Sequence, residues 1–359
     1  MVTLKDIAEK TGLSVGAVSQ LLNTSDSRYS AATKARVEKV AREMGYRPNR
    51  TAQSLRNKKS KTIGVVNFGS LHQLTTQRLY HVVKAIHSRE YRPVIYDVSW
   101  IGDNIKAGDL MDAHVDGVVL VNPHSFYPAG KIAELIGGGV PVVSIGGYCL
   151  PGITKFLADK KHGFYLLTNH LISLGYTSIA LLTNMPDDER ARKYAWHAVG
   201  AVNGFNKALA EHKDSATLDA VVYSNNPSQT SAEEGNYSGG YLAMGRLLDK
   251  GPPPQAVLCS NDSWAIGAMR ACTERGLEVP RDIAITGFEN ELAGRFGPVP
   301  LTTVSHPLEE IAEQAVARLF DFITKGVKEM QDETKIVRGS LIVRRSCGAH
   351  LRELRKETL

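Results

Sequence analysis

SVGAVSQLLN, residues 14–23, reads as a helix weakened on purpose in its first turn. Gly16 costs a helix interior about 1 kcal/mol relative to alanine, and Val15 beside it is stiff without being polar. Ser14 is a good N-cap. From that start, Val18, Leu21 and Leu22 fall on one face and Val15, Gly16, Ser19 and Gln20 on another. The first face suits a core, and the second suits something outside the chain.

The flanks supply that core. Thr3 caps a helix in which Leu4, Ile7 and Ala8 form an apolar stripe, and Gly12 with Leu13 makes a tight turn into Ser14. After a polar loop, Ser30 caps a third helix carrying Val37, Val40, Ala41 and Met44 at i, i+3, i+4 and i+7, and Gly45 stops it. Helix, turn, helix and a third short helix can share one small core. Pro48 then ends the pattern, and Asn49 can cap a short helix ending near Leu55.

Charge points the same way. Residues 1–61 hold 13 Lys+Arg against 5 Asp+Glu, and the remainder holds 30 against 32, so the start of the chain carries all of the +6 net charge. A disordered basic tail would lack the regular apolar spacing. Together these features suit a DNA major groove. Ser14 and Ser19 offer hydroxyls, Gln20 can pair with adenine through donor and acceptor together, Val15 can touch a thymine methyl, and Gly16 lets the backbone approach closely. The alternative is that Gly16 is an indifferent surface residue of a small bundle. Leu55, an apolar side chain amid Arg50, Arg56, Lys58 and Lys59, is either a minor-groove wedge or a plain linker residue.

From residue 62, β-branched runs alternate with helical patterns: TIGVV, PVIYDV, DGVVLV and PVVSIG, then SIALLT, VVYS, AVLCS and IAITG. Such alternation means parallel sheets with helical crossovers, and the length favours two doubly wound lobes over one sheet. Ligands in such folds sit beyond the carboxyl ends of strands. Asn122, Tyr148, Asp159, Asn261, Glu289 and His306 stand at those ends and are candidate ligand contacts. Each has a plainer reading as well, since loop Asn and Asp commonly cap the next helix, as Asn261 with Asp262 can.

Several classes are disfavoured. No apolar run approaches the roughly 20 residues that span a bilayer, and MVTLKDIAEK lacks the pattern of a secretory signal, so no membrane partner and a cytoplasmic location are expected. Cys149, Cys259, Cys272 and Cys347 form no CxxC pair and read as buried thiols, with no metal site or disulfide framework. There is no GxxxxGK[ST], HExxH or strand-end GxGxxG, and NYSGG at 236–240 lacks the first glycine of a nucleophile elbow. The expectation is no enzyme and no cofactor. A solute-binding transport component would share the two-lobed body, but it would need export and have no use for a basic three-helix head.

LKDIAEKTGLSVGAVSQLLN followed by GYRPNRTAQSL resembles the DNA-binding headpiece and hinge helix of the LacI/GalR family of bacterial transcriptional regulators. The resemblance extends over nearly the whole chain, through CSNDSWAIGAMRACTERGLEVPRDIAITGFEN and PLTTVSHPLEEIAEQAV, to a body similar to periplasmic sugar-binding proteins. It implies that Val15, Gly16 and Gln20 read bases, that Thr3, Ser14, Ser19, Asn23, Thr33, Tyr46 and Asn49 meet phosphates, and that Leu55 enters the minor groove. In the body it implies effector contacts from Asp159, Asn261 and Glu289, with Tyr237 stacking on the ligand.

There are departures from the family pattern. Gln20 stands where many members have arginine. Ala201 replaces an expected arginine, with Arg190 or Arg192 as possible substitutes, and Glu289 replaces an aspartate. Loss of that cation favours a neutral or cationic, sugar-like effector.

The expected organisation is a helix-turn-helix headpiece at 1–48, a hinge helix and linker at 49–61, a two-lobed effector-binding and dimerisation body at 62–345, and a basic tail at 346–359 with too few apolar repeats for a zipper. The expected function is that of a homodimeric repressor of a pseudo-palindromic DNA operator, controlled by a small polar effector.

Overall fold

The computed structural model describes residues 2–23, 29–46, 59–68, 73–97, 114–123, 129–147, 151–183, 196–212, 217–223 and 235–351. The chain divides into two compact units, 1–60 and 61–359.

In the first unit, α1 (Leu4–Thr11), α2 (Val15–Asn23) and α3 (Ala31–Glu43) form a helix-turn-helix with a third packing helix. Local chemistry sets each boundary. The Thr3 hydroxyl accepts from the Asp6 N–H at 3.4 Å, while the Asp6 carboxylate accepts from the Thr3 N–H at 2.7 Å, a reciprocal capping box. Gly12, at φ 71, ends α1 in the left-handed conformation and donates to the Ala8 carbonyl at 2.9 Å. Ser14 caps α2 by accepting from the Ala17 N–H at 3.2 Å, and Ser30 caps α3 through the Thr33 N–H, also at 3.2 Å. Ile7, Val18, Leu21 and Val37 are fully buried and, with Ala8 and Ala41, form the core of this unit.

The second unit holds two parallel sheets. The first contains β1 (Thr62–Asn67), β2 (Arg92–Asp97), β3 (Gly117–Val121), β4 (Val142–Ile145), β5 (Thr154–Ala158) and β11 (Thr334–Val337), in the order β11-β5-β4-β3-β1-β2. α4 (Gln73–His87) and α11 (Leu308–Lys325) cover one face, where Ile63, Val65, Val82, Ile311 and Leu319 meet, and α5 (Ala129–Gly137) places Leu135 in the core on the other. The inner strands β1, β3, β4 and β5 are buried on both sides, which is why they read as apolar runs, while the edge strands β2 and β11 are largely exposed.

The second sheet, in the order β7-β6-β8-β9, contains β6 (Ser178–Thr183), β7 (Thr217–Tyr223), β8 (Ala256–Cys259) and β9 (Ala284–Thr286). One core joins α6 (Lys160–Ser173) and α7 (Trp196–Glu211) to it through Phe164, Leu167 and Phe205. Another joins α8 (Gly235–Leu248) and α9 (Asp262–Glu274) through Met244, Trp264 and Ala268. At the α6–α7 contact a Cβ on Gly204 would lie 2.1 Å from the Lys161 carbonyl oxygen, so only glycine fits there.

The chain passes between lobes after β5, after β10 (Thr303–Val304) and after β11. β10 pairs antiparallel with β12 (Leu341–Ile342). The tail expected from 346 begins inside the second lobe instead. Ser346 and Cys347 are fully buried, and the Ser346 hydroxyl accepts from the Thr302 N–H at 2.8 Å and donates to the Ile285 carbonyl at 2.5 Å. Basic composition concealed a short segment fixed by backbone-directed hydrogen bonds.

Candidate functional site

In the first unit the outer face of α2 presents Val15, 45% exposed, and Gly16. A Cβ at Gly16 would meet nothing nearer than the Ser14 hydroxyl at 4.0 Å. Packing inside the chain therefore does not require glycine there, and the helix bears its cost for another reason. Gln20 is half-buried at the edge of that face, and Ser14 is exposed at its start.

Ser19 does not belong with them. It is 6% exposed, because α2 packs against both α1 and α3 and buries the broad arc of Ala17, Val18, Ser19 and Leu21. Thr3 is exposed and its hydroxyl serves the capping box; Thr33 is half-buried with its hydroxyl 2.9 Å from that of Ser30, and Tyr46 packs against the small core. Asn23 closes α2, but its side chain lies outside the description, and Asn49 and Leu55 lie outside the described residues.

In the second unit the strand-end candidates divide by use. Asn261 caps α9, accepting from the Trp264 N–H at 2.8 Å, and Asp159 caps α6, accepting from the His162 N–H at 2.8 Å. Asp159 also stands 3.5 Å from the Arg338 guanidinium. For both, the plainer reading describes what one carboxyl or amide oxygen does. Tyr237 lies on α8, 40% exposed. Tyr148, Arg190 and Arg192 lie outside the described residues.

Asn122, Glu289 and His306 come together around two cations that strand-end reasoning missed. Arg78, on α4, is only 3% exposed. Its Nη1 donates to the Asn122 side-chain oxygen and its Nη2 lies 3.2 Å from His306 Nε2, while Asn122 Nδ2 donates to the Thr75 hydroxyl at 3.1 Å. Gly146, at φ 64, leaves room for the guanidinium; a Cβ there would lie 3.0 Å from Arg78 Cζ. Lys160, at the start of α6, donates to the Ser260 carbonyl at 2.8 Å and stands 3.7 Å from Glu289 Oε1. Its ammonium also lies 4.2 Å from the centre of the Phe288 ring. Phe288 fits there because residue 163 is glycine; a Cβ on Gly163 would lie 2.3 Å from the ring.

Burial sets the titration of this cluster. It pushes the Glu289 carboxyl up to about 8 against the opposing pull of Lys160, and holds the Lys160 amine below its ordinary range. Desolvation lowers Arg78 to about 10. Asp262 rises to about 6 although its carboxylate accepts from the Thr303 hydroxyl at 2.6 Å and the Glu291 N–H at 2.7 Å. Ala201, by contrast, is 1% exposed and packed in the core of the second lobe. The expectation of a site without a fixed cation is thus corrected, since Arg78 and Lys160 bring positive charge from other elements.

A signal for both was present in the sequence. Arg78 falls on the buried stripe Leu74, Leu79 and Val82 of its helix, and Lys160 on the stripe Gly163, Phe164 and Leu167. A charge on an apolar helical face is rarely buried without a partner or a purpose.

Comparison with known proteins accords with both units. Residues 3–49 match the model of bacterial regulatory proteins of the lacI family, and residues 168–347 match a periplasmic binding protein-like domain. The chain is 30% identical over 336 residues to the ribose operon repressor of Escherichia coli K12, covering 92% of this chain and 96% of that protein. It is 29% identical over 354 residues to the HTH-type transcriptional repressor PurR of Proteus mirabilis, covering 96% and 97%. Among solved structures, a transcriptional regulator CelR–cellobiose complex matches with TM-score 0.66 at 27% identity, over 96% of this chain and 100% of that one. A lac repressor dimer bound to operator shares the fold with TM-score 0.75 at 24% identity, over 96% and 99%.

These relatives span head and body alike and are repressors, not transport components or enzymes. The chain belongs to the lacI family of bacterial regulatory proteins and is a DNA-binding transcriptional regulator.

Proposed function

We propose that this regulator acts in the cytoplasm as a homodimeric repressor, binding a pseudo-palindromic operator through two copies of the head and releasing or gripping it according to a small sugar-like molecule held in the body. Within the head, Val15, Gly16 and Gln20 read bases in the major groove, and Thr3, Ser14, Thr33 and Tyr46 lie against phosphates, with Asn23 and Asn49 as further candidates and Leu55 as the minor-groove wedge. In the body, Glu289, His306 and Asn122 belong to the effector site together with Arg78 and Lys160, and Tyr237 offers a ring to the ligand. The division of labour follows residues 1–48 for reading, 49–61 as hinge, and the remainder for ligand and dimer.

The observation that carries the reading is the open space around Gly16 on an otherwise well-capped helix, next to an exposed valine. A groove floor explains both, since glycine allows close approach and valine meets a thymine methyl. Selection of binding sites from random duplexes by the full chain tests this. A two-fold symmetric site is expected, and Gln20→Ala is expected to relax preference at one position in each half-site by about 1–3 kcal/mol. An unchanged selected sequence for the variant would remove Gln20 from the reading face.

A further inference from the structure

The cleft cluster contains a cation that no carboxylate among the described residues contacts. Lys160 stands 3.7 Å from Glu289, whose carboxyl also acts on Arg78 through space, and Asp262 is engaged by Thr303 and by the Glu291 backbone. Arg78 remains. It is almost fully buried, makes no ion pair among the described residues, and its Nε, buried, has no hydrogen-bond partner. Its neighbours at Nη1 and Nη2 are an amide oxygen and an imidazole, which orient a guanidinium without neutralising it. A buried cation with no carboxylate in contact is costly to desolvate. Such a group is retained where an anion arrives to complete it.

The geometry points to an anionic oxygen group, a carboxylate or a phosphate, on the sugar-like effector, received by Arg78. This rests on the reading of the cleft as the effector site and adds the charge of the ligand to it. Arginine suits the task because its planar fork offers parallel N–H donors to two oxygens at once. Asn122, fixed in turn by Thr75, holds the fork in one orientation, so little rotamer freedom remains to be lost on binding. Space adjoins the cluster, because Glu289 and His306 also line a groove of about 730 Å³ with Gln77 and His81, the helical neighbours of Arg78. Glu309 and Glu310 also line that groove; Glu309 is taken up by Lys84 at 2.6 Å and Glu310 accepts from the Gln314 side chain at 3.0 Å, which lessens their repulsion of an entering anion.

Isothermal titration of the full chain with three sets of probes tests the inference: neutral sugars (ribose, glucose, galactose), sugar acids (gluconate, glucuronate, galacturonate) and sugar phosphates (ribose 5-phosphate, glucose 6-phosphate). At least one acid or phosphate is expected to bind more tightly than its neutral parent, and which of the two sets contains it identifies the anion. Arg78→Gln keeps a donor for Asn122 but removes the charge, and is expected to weaken that probe on the order of 10- to 100-fold, the effect of one charged hydrogen bond.

Arg78→Lys keeps the charge without the fork and is expected to fall between wild type and Arg78→Gln, which a purely structural arginine would not produce. A neutral sugar bound more tightly than every anion, or anion affinity equal in Arg78→Gln and wild type, overturns the inference and leaves the effector cleft standing. Failure of all three sets to bind the folded wild type overturns both.

Discussion

The head and the body place their functional residues in opposite surroundings. In the head, Val15 and Gly16 stand on the outside of a helix whose inner face is closed over a core of about six side chains, among them Ile7, Val18, Leu21 and Val37. In the body, Arg78, Lys160 and Glu289 are nearly enclosed, Arg78 held by the Asn122 and His306 side chains and Lys160 by the Ser260 carbonyl beside Glu289. A DNA duplex is too large to be surrounded and is met by a surface, whereas a small molecule gains most from being enclosed by fixed dipoles and charges. On the proposed reading, a short basic segment serves long-range attraction and the buried ionic cluster serves selectivity.

The largest expected effect of that contrast is its salt dependence. With roughly 6–10 phosphates neutralised, operator affinity of the full chain should fall about 10³- to 10⁵-fold between 50 and 200 mM salt, while the affinity of the body for its effector, made by enclosed groups, should change far less. Fluorescence anisotropy for the operator and calorimetry for the effector give the two slopes. Parallel slopes would break the contrast, because they would place the effector at an exposed charged surface.

Gly16 sharpens it further. Alanine there fits the free head without a clash and should stabilise it by about 1 kcal/mol in denaturant unfolding, since the helix regains its propensity. Operator affinity should nevertheless decrease, because the added methyl occupies the space reserved for the groove. A variant that is both more stable and fully competent in DNA binding would return Gly16 to the status of an ordinary surface residue.

The smallest effect concerns acidity in the body. Glu289 is raised to about 8 in the folded chain from a reference value of 4.5, so between those values the folded state holds a proton that the unfolded state has released. Its contribution to stability is present in full below about 4.5 and is lost as the pH rises through about 8. Lys160, lowered by burial, acts in the opposite sense. Unfolding free energies at pH 5.5 and 8.5 should therefore show wild type losing more stability than Glu289→Gln over that interval; equal losses would mean that Glu289 is not desolvated as described.

What could be read from the sequence follows the same division. The three helices of the head, their caps Thr3, Ser14 and Ser30, and the stop at Gly12 are written in contiguous residues, and the structure places each as expected. Ser19 is more buried than the helical period suggests, because the period gives the centre of a buried face and not its width, which depends on how closely α1 and α3 approach. The parallel strands were legible from their apolar runs, and Asn122, Glu289 and His306 from their places at strand ends. Arg78 and Lys160 were not, since each lies within a helix pattern and acquires its meaning only when α4, α6 and the segment at 288–306 are folded together. Asp159 and Asn261 show the converse, residues at the right end of a strand whose carboxyl or amide oxygen closes a helix.

The central claim is that the enclosed cluster in the body governs what the exposed face of the head can hold. Operator affinity of the full-length chain, titrated at fixed salt with and without a saturating amount of the probe that binds the body most tightly, tests it directly. The account predicts a change of about tenfold or more, of either sign, the range of ordinary coupling between sites. A ligand that saturates the body and leaves operator affinity unchanged would contradict it.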